Sequence, residues 1–228
     1  MQVQVATNRV VPPLHATPDV GFGFDDTEAA LFAAGTVVNV PRGGELFHEG
    51  EEASSWYRVT SGALRTCKLM PDGRRQIESF LLPGDLLGME AGAAYRAAAE
   101  AIVPTTVIRY SRRRIEHLAD ENPRLARRLF DIAVDHLCEA QARMILLGRK
   151  TAEERLASFV LEMLERSPET NAFDLPMSRH DIADYLALTI ETVSRTFSAF
   201  KRDGLVALPN PQRVVVRDRE GLRDICGD

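Results

Sequence analysis

Three polar residues near the carboxyl-terminal end of the chain have the types and spacing of a recognition surface. Glu191, Ser194 and Arg195 lie at positions i, i+3 and i+4, so a helix would place them side by side. An acceptor, a hydroxyl and a forked donor at the start of an exposed helix suit base edges in a DNA major groove. The same spacing is typical of a surface helix with a solvated ion pair. The surrounding elements decide between these interpretations.

Residues 177–208 predict two short helices around a tight turn. The first helix includes residues 181–186, and the second comprises residues 189–200. Thr189 is a suitable N-cap for the second helix, because its hydroxyl can accept from a free backbone N–H of the first turn. Apolar residues recur every three or four positions and predict one buried face: Ile190, Val193, Phe197 and Phe200. This helix-turn-helix pattern favours DNA recognition.

The composition indicates a soluble globular protein. The 228 residues are 45% hydrophobic and 27% charged, with a net charge of −5. No apolar run approaches the roughly 18 residues of a membrane span, and no secretory signal is present, so we expect a cytoplasmic protein. Residues 1–110 hold 9 Lys/Arg and 13 Asp/Glu, whereas residues 175–217 hold 6 and 4. A mildly basic segment 175–217 in an otherwise acidic chain is typical of a protein that binds specific DNA sequences. It does not favour a protein that binds nucleic acid regardless of sequence.

Residues 35–110 contain short β-prone runs separated by Gly- and Pro-rich turns. This texture predicts an antiparallel barrel or jelly roll. The Pro-Asp-Gly turn at 71–73 should connect a hairpin. The predicted strands are residues 36–40, 45–48, 56–60, 63–70, 76–82 and 105–110.

Two alternative functions of this barrel remain open. A metal-dependent enzyme of the cupin type needs several converging histidines, but His48 is the only histidine within the predicted strands. We therefore expect no metal site and interpret His48 as a surface or turn residue. The Gly-rich segment 83–101 could instead form an anion pocket with Glu90 and Arg96. Gly-rich loops are, however, also common as simple connections between the strands of a barrel.

Asn122 and Pro123 predict the start of the longest helix, because they provide a cap and a proline at the first helical position. We assign this helix to residues 119–148 and expect it to form a homodimer. The predicted dimer seam comprises Phe130, Ala133, Leu137, Ala140, Met144 and Leu147. A second apolar face, which should pack on the barrel, comprises Leu125, Leu129 and Ile132.

The remaining segments complete a four-part organisation. We predict a mobile arm at 1–24, a roll domain at 25–118, the dimerisation helix at 119–148 and a DNA-binding domain at 149–228. A short helix is expected at 26–34. The elements predicted after the hinge at 148–150 are a Thr151-capped helix to 166, a polar connection at 167–174, wing strands at 204–208 and 213–217, and a last helix at 218–225.

This order of elements resembles the Crp–Fnr family of transcription regulators. The resemblance is most specific in LPMSRHDIADYLALTIETVSRTFSAF, which contains the E-x-x-S-R signature of the Fnr branch and, with GDLLGMEAG upstream, looks most like the FixK subgroup. It implies an α+β fold with an amino-terminal antiparallel β-roll, a long dimerisation helix and a carboxyl-terminal winged helix-turn-helix. It also implies a homodimeric activator of low-oxygen genes that binds TTGA-type inverted repeats, with RNA polymerase as a partner.

The resemblance fits specific contacts to DNA. Arg195 can bond guanine O6 and N7, Glu191 can accept from the paired cytosine N4, and Ser194 can touch an adjacent thymine. Ala187 lies in the turn where the family usually has glycine, so we expect strain of about 1 kcal/mol if that position has positive φ. The candidate phosphate contacts are Arg179, Thr189, Thr192, Lys201 and Arg213.

Two effectors known in the family do not match these residues. An iron–sulfur cluster needs several cysteines, mostly near the amino terminus, but the three cysteines are far apart at Cys67, Cys138 and Cys226. Cyclic-AMP binding uses a Gly-Glu and an Arg-Ser pair, where this chain has GME at 88–90 and RA at 96–97. We therefore predict a dimer without a cofactor that binds DNA without a ligand. A regulator gated by a cyclic nucleotide or another small molecule is the alternative.

Overall fold

The computed structural model describes residues 4–5 and 35–227. The chain divides into two compact units, Met1–Val134 and Asp135–Asp228. The helix predicted at 26–34 lies outside the described residues, as does most of the predicted amino-terminal arm. Within that arm, Gln4–Val5 form a short strand, β1, which pairs with residues of the roll.

The first unit contains an antiparallel β-roll, which confirms the predicted fold. Its nine described strands are β1 (Gln4–Val5), β2 (Thr36–Val40), β3 (Glu45–Phe47), β4 (Ser55–Ser61), β5 (Leu64–Leu69), β6 (Arg75–Leu81), β7 (Leu86–Leu87), β8 (Ala98–Ala101) and β9 (Thr105–Ser111). They form two sheets, in the orders β1-β2-β9-β4-β7 and β3-β8-β5-β6. Strands β7 and β8 were not predicted, because one has only two residues and the other has the sequence AAEA, which lacks β-branched side chains.

Buried side chains fill the interior of the roll. The rings of Phe47 and Tyr95 stack with centroids 3.8 Å apart, and the Tyr95 hydroxyl donates to the Ser55 carbonyl at 2.7 Å. Around them lies an apolar core that includes Val38, Val59, Leu64, Leu87 and Val107. The predicted hairpin is confirmed, since β5 pairs with β6 and Gly73 occupies the turn with φ 84°.

Two helices follow the roll, α1 (Arg112–Glu121) and α2 (Pro123–Arg149). Asn122 caps α2 as predicted, because its Oδ1 accepts from the backbone N–H of Leu125 at 3.2 Å. Leu125 and Ile132 are buried, and Leu125 packs with Ile108 of β9. The apolar face predicted to contact the barrel is therefore confirmed for the first turns of α2.

The second unit contains the carboxyl-terminal part of α2 and a winged helical domain. Its other elements are α3 (Ala152–Glu165), β10 (Ala172–Asp174), α4 (Arg179–Leu186), α5 (Ile190–Arg202), β11 (Val206–Ala207), β12 (Arg213–Val216) and α6 (Arg219–Cys226). Thr151 and Glu154 form a capping box at the start of α3. The wing hairpin is confirmed, but residues 172–174 were wrongly assigned to a polar connection. They form β10, which pairs with β12 and gives the wing three strands.

Across residues 4–5 and 35–227, no helix is both long and apolar enough to cross a membrane.

Candidate nucleic-acid interface

Helices α4 and α5 each begin at a side-chain cap, and a tight turn separates them. Ser178 caps α4 through a capping box with Asp181, which is buried at 5% exposure. Thr189 caps α5 as predicted, since its Oγ1 accepts from the Thr192 N–H at 3.2 Å. Between them Ala187 has φ 52° and ψ 48°, the only positive φ of a non-glycine residue that the structure records in the described chain. The condition under which strain was expected at this alanine, a positive φ, is therefore met.

One face of α5 is buried and fixes the rotation of the helix about its axis. Val193, Phe197 and Phe200 are 0–2% exposed. Ile190 was predicted to share this face, but its side chain is 39% exposed. It occupies the first position of the helix, directly after the turn, where neighbouring side chains cover it only in part.

The three predicted base-contact residues lie on the opposite, exposed face of α5. The pKa of Glu191 is lowered by a hydrogen bond from its own backbone N–H and one from the Thr189 hydroxyl, so the carboxylate is turned toward the start of the helix. No ion pair is recorded for Arg195 within residues 35–227. Its guanidinium is consequently available to an external acceptor.

Three of the predicted phosphate contacts flank this face. Thr189 and Lys201 are exposed, and Thr192 is half-buried. The hydroxyls of Thr189 and Thr192 lie 3.1 Å apart at the amino-terminal end of α5, where backbone N–H groups and the helix dipole favour an anion. Lys201 lies at the other end of the same helix.

Arg179 connects α4 to the recognition helix and to the wing. Its guanidinium carbon lies 3.6 Å from the centroid of the Phe197 ring, and Nη2 donates to the Pro211 carbonyl at 3.4 Å. Burial lowers the pKa of Arg179 to about 10, so the side chain stays cationic at neutral pH. Its buried Nη1 has no hydrogen-bond partner among the described residues.

Arg213, another predicted phosphate contact, is already engaged by two carboxylates. It forms ion pairs with Glu169 and, at 3.0 Å, with Asp174. The Arg213 hydrogen bond lowers the pKa of Glu169. A phosphate would have to compete with both acids for this guanidinium.

The predicted dimer seam lies on an exposed face of α2. The side chains of this face with large exposed fractions are Phe130 (58%), Leu137 (57%) and Met144 (71%), with Val134 (39%) and Ile145 (61%) beside them. Ala133 and Ala140 of the seam are exposed as well, and Leu147 is half-buried. A continuous apolar stripe of this kind is unusual on a monomer surface.

The two residues of the predicted effector pocket bind each other. Glu90 accepts from the Arg96 Nε at 2.9 Å and from the Arg96 backbone N–H at 3.2 Å. The Arg96 side chain is 84% exposed, so it lies at the surface of the roll. Among the described residues, no three His, Cys, Asp or Glu side chains are gathered as a metal ion would require. His48 lies at the surface beside Glu51, as expected.

The three thiols differ in environment. Cys67 and Cys226 are buried, and burial raises the pKa of Cys67 to about 11. Cys138 is exposed on α2. The helix there has no neighbour within the described chain that covers it.

Two family models match the chain. A Crp-like helix-turn-helix domain matches residues 154–225, and a cyclic nucleotide-binding domain matches residues 37–122. The first match contains α4, α5 and the wing. The second covers the β-roll from β2 to β9 except Thr36, together with α1.

Relatives and solved structures agree with these matches. The chain is 46% identical to the nitrogen fixation regulation protein FixK of Azorhizobium caulinodans over 84% of this chain and 79% of that protein. It is 35% identical to the transcriptional activator protein FnrL of Cereibacter sphaeroides over 82% and 78%. The structure of FixK2 from Bradyrhizobium japonicum matches with a TM-score of 0.82 and 42% identity, covering 84% of this chain and 97% of that one. None of these similarities indicates an enzyme family.

Proposed function

Because the chain belongs to the Crp–Fnr family of transcription regulators, among its FixK-like members, we propose that it reads TTGA-type inverted repeats as a homodimeric activator. The observation that carries this proposal is the exposed guanidinium of Arg195, which forms no ion pair within residues 35–227 and lies on the solvent-facing side of a capped recognition helix. Arg195 donates to guanine O6 and N7. Glu191 accepts from the paired cytosine N4, and Ser194 contacts the neighbouring thymine.

Four further residues position the helix on the phosphate backbone. Thr189 and Thr192 contribute hydroxyls at its amino-terminal end, Lys201 contributes a cation at its other end, and Arg179 contributes a cation between the helix and the wing. Arg213 is the weakest member of the predicted set, because Glu169 and Asp174 already hold it. It contacts phosphate only by exchanging these partners.

The homodimer forms through the exposed apolar stripe of α2. A second copy of the chain would cover Phe130, Leu137 and Met144, and its own recognition helix would meet the second half-site of a two-fold operator. A Leu137→Glu variant should therefore be monomeric in sedimentation equilibrium. Ala142→Glu, which adds the same charge at an exposed position off the predicted seam, should remain dimeric. A dimeric Leu137→Glu variant would disprove the assigned interface.

The protein binds DNA without a ligand or cofactor, and its activity follows its abundance. Support comes from the Glu90–Arg96 pair, in which the guanidinium that would meet a phosphate is bound by the chain's own carboxylate. Support also comes from the aromatic side chains that fill the roll. The target genes are those for life at low oxygen, and activation proceeds through contact with RNA polymerase.

The direct test is fluorescence anisotropy of purified protein, without added nucleotide, on a labelled TTGA-type inverted repeat. We expect specific binding that is tighter by at least roughly a thousandfold than binding to a scrambled duplex. Isothermal titration of the same sample with cyclic AMP should give no binding heat. Binding that appears only after a nucleotide is added would overturn ligand independence while leaving DNA recognition intact.

A nucleotide-gated regulator is the second candidate. The observation in its favour is the match of residues 37–122 to a cyclic nucleotide-binding domain. In that case a nucleotide phosphate would displace Glu90 from Arg96. Calorimetry with an Arg96→Ala variant as the control distinguishes the two candidates, because only the gated regulator would lose a heat signal.

A further inference from the structure

Two arginines bind the carboxyl-terminal end of α4, immediately before the turn that leads to the recognition helix. Arg143 of α2 donates through Nη2 to the Tyr185 carbonyl at 2.5 Å. Arg155 of α3 donates through Nη1 to the Leu186 carbonyl at 3.0 Å and reaches the Ala187 carbonyl at 3.5 Å. The last carbonyls of a helix have no partner within it, and the helix dipole favours a cation there. Three consecutive carbonyls are thus bound by two guanidinium groups.

Arg155 also holds the end of α2. Its Nη2 donates to the Leu147 carbonyl and its Nε to the Lys150 carbonyl, each at 2.9 Å. One planar group therefore joins the last turn of α2, the connection to α3 and the helix-turn-helix. Only arginine has donors in a fixed fork that can reach acceptors in several directions at once.

Arg143 makes a second, independent link between α2 and α4. Its guanidinium carbon lies 3.3 Å from the centroid of the Tyr185 ring, a stacked arrangement that restricts both side chains. Tyr185 is only 6% exposed, and its hydroxyl donates to Glu162 of α3 at 3.3 Å. Arg143 precedes Met144 of the predicted dimer seam, so this link starts beside the proposed interface.

We propose that Arg143 and Arg155 form a hinge clamp, a pair of positioning residues that fixes the direction of α5 relative to the end of α2. This inference rests on the proposed function, because the angle matters through the second copy of the chain. When α2 is the dimer helix, the angle between α2 and α5 in each chain determines the separation of the two recognition helices. The clamp therefore determines which half-site spacing the dimer accepts.

The test compares Arg155→Ala and Arg155→Lys with the control Arg149→Ala. Arg149 is an exposed cation at the carboxyl-terminal end of α2, the helix end that Arg155 binds. It has no hydrogen bond or ion pair to another side chain in the described chain. Anisotropy measures affinity for inverted repeats with zero, one or two base pairs added between half-sites, and for a duplex with one half-site. We expect both Arg155 variants to lose roughly tenfold in spacing discrimination, with half-site affinity unchanged. Wild-type discrimination in Arg155→Ala would overturn the proposal.

Hydrogen–deuterium exchange gives a readout that does not depend on DNA. In Arg155→Ala, exchange should accelerate both at 144–151 and at 184–190, while the core of α3 stays protected. Faster exchange at 184–190 alone would mean that Arg155 only caps the end of α4, and it would refute the clamp. Should Arg155→Ala not fold, Arg143→Gln provides the same two measurements. Wild-type protein that binds no inverted repeat would refute the proposed function, and the exchange result would still decide the clamp.

Discussion

The chain contains two glutamate–arginine pairs at predicted binding positions, and the structure treats them in opposite ways. On α5, Glu191 turns back toward Thr189 and the helix amino terminus, and Arg195 four residues later forms no ion pair within residues 35–227. In the roll, Glu90 accepts both the side-chain and the backbone N–H of Arg96. The residue types are the same. The local backbone decides which arginine can bind an external acceptor.

This difference explains why similar sequence signals lead to different functional conclusions. The N-terminal end of a helix offers Glu191 competing donors, namely a backbone N–H and a capping hydroxyl, which separate it from Arg195. In the loop, the backbone N–H that Glu90 accepts from belongs to Arg96 itself, so this hydrogen bond holds the two side chains together. An arginine in the sequence is therefore not enough to indicate a binding site. Its guanidinium must also be accessible to an external acceptor.

Removing the free arginine should have the largest effect. Arg195→Ala should cost roughly 1–3 kcal/mol of specific binding per half-site, because a bidentate contact to guanine is lost. Affinity for scrambled DNA should hardly change. Arg202→Ala, on the same helix but paired with Asp203, is the matched control and should retain sequence preference. Anisotropy against matched and scrambled duplexes measures both, and retained preference in Arg195→Ala would contradict the base-contact assignment.

The two regions also differ in how they build left-handed backbone. Beside Glu90 the left-handed residue is Gly88, with φ 86°, whereas the turn before α5 uses Ala187. Ala187→Gly should therefore raise the free energy of unfolding by about 1 kcal/mol, since it relieves a Cβ clash. Ala199→Gly, inside α5, should lower it by a similar amount. Urea denaturation checks the opposite signs, and a destabilising Ala187→Gly change would show that the turn is not strained.

Breaking the closed pair should have the smallest effect. Glu90→Gln removes the charge that holds Arg96, but the guanidinium is largely exposed, so the free energy of unfolding should fall by less than about 1 kcal/mol. DNA affinity of the ligand-free protein should stay unchanged. A large loss of DNA affinity in this variant would mean that the pair belongs to a switch, and the contrast between the two regions would fail.

Most of the fold could be predicted, because its signals are local. The Thr189 cap, the Thr151 capping box and the alternating strands of the roll all follow from residue type and spacing. Strand β8 could not be predicted, since its alanines gain their burial only from neighbouring strands.

The candidate site was predictable in its exposed part and not in its supporting contacts. Periodicity identified the face that carries Arg195. It could not show that Arg155 binds backbone carbonyls far along the chain, because an acceptor carbonyl has no residue-specific signature. Nor could it show that Glu169 and Asp174 occupy Arg213, since that requires the register of β10 against β12.

If the exposed apolar stripe of α2 is the dimer interface, as proposed, the amount of protein becomes a signal in itself. In the proposed homodimer, two chains must meet before two half-sites can be bound together. At concentrations below the dimer dissociation constant, the concentration of dimer rises with the square of the chain concentration, so a doubling of synthesis gives about four times as much dimer. A promoter bound by such a dimer would switch over a narrower range of regulator concentration than a promoter bound by a monomer. Steepness of response then comes from mass action.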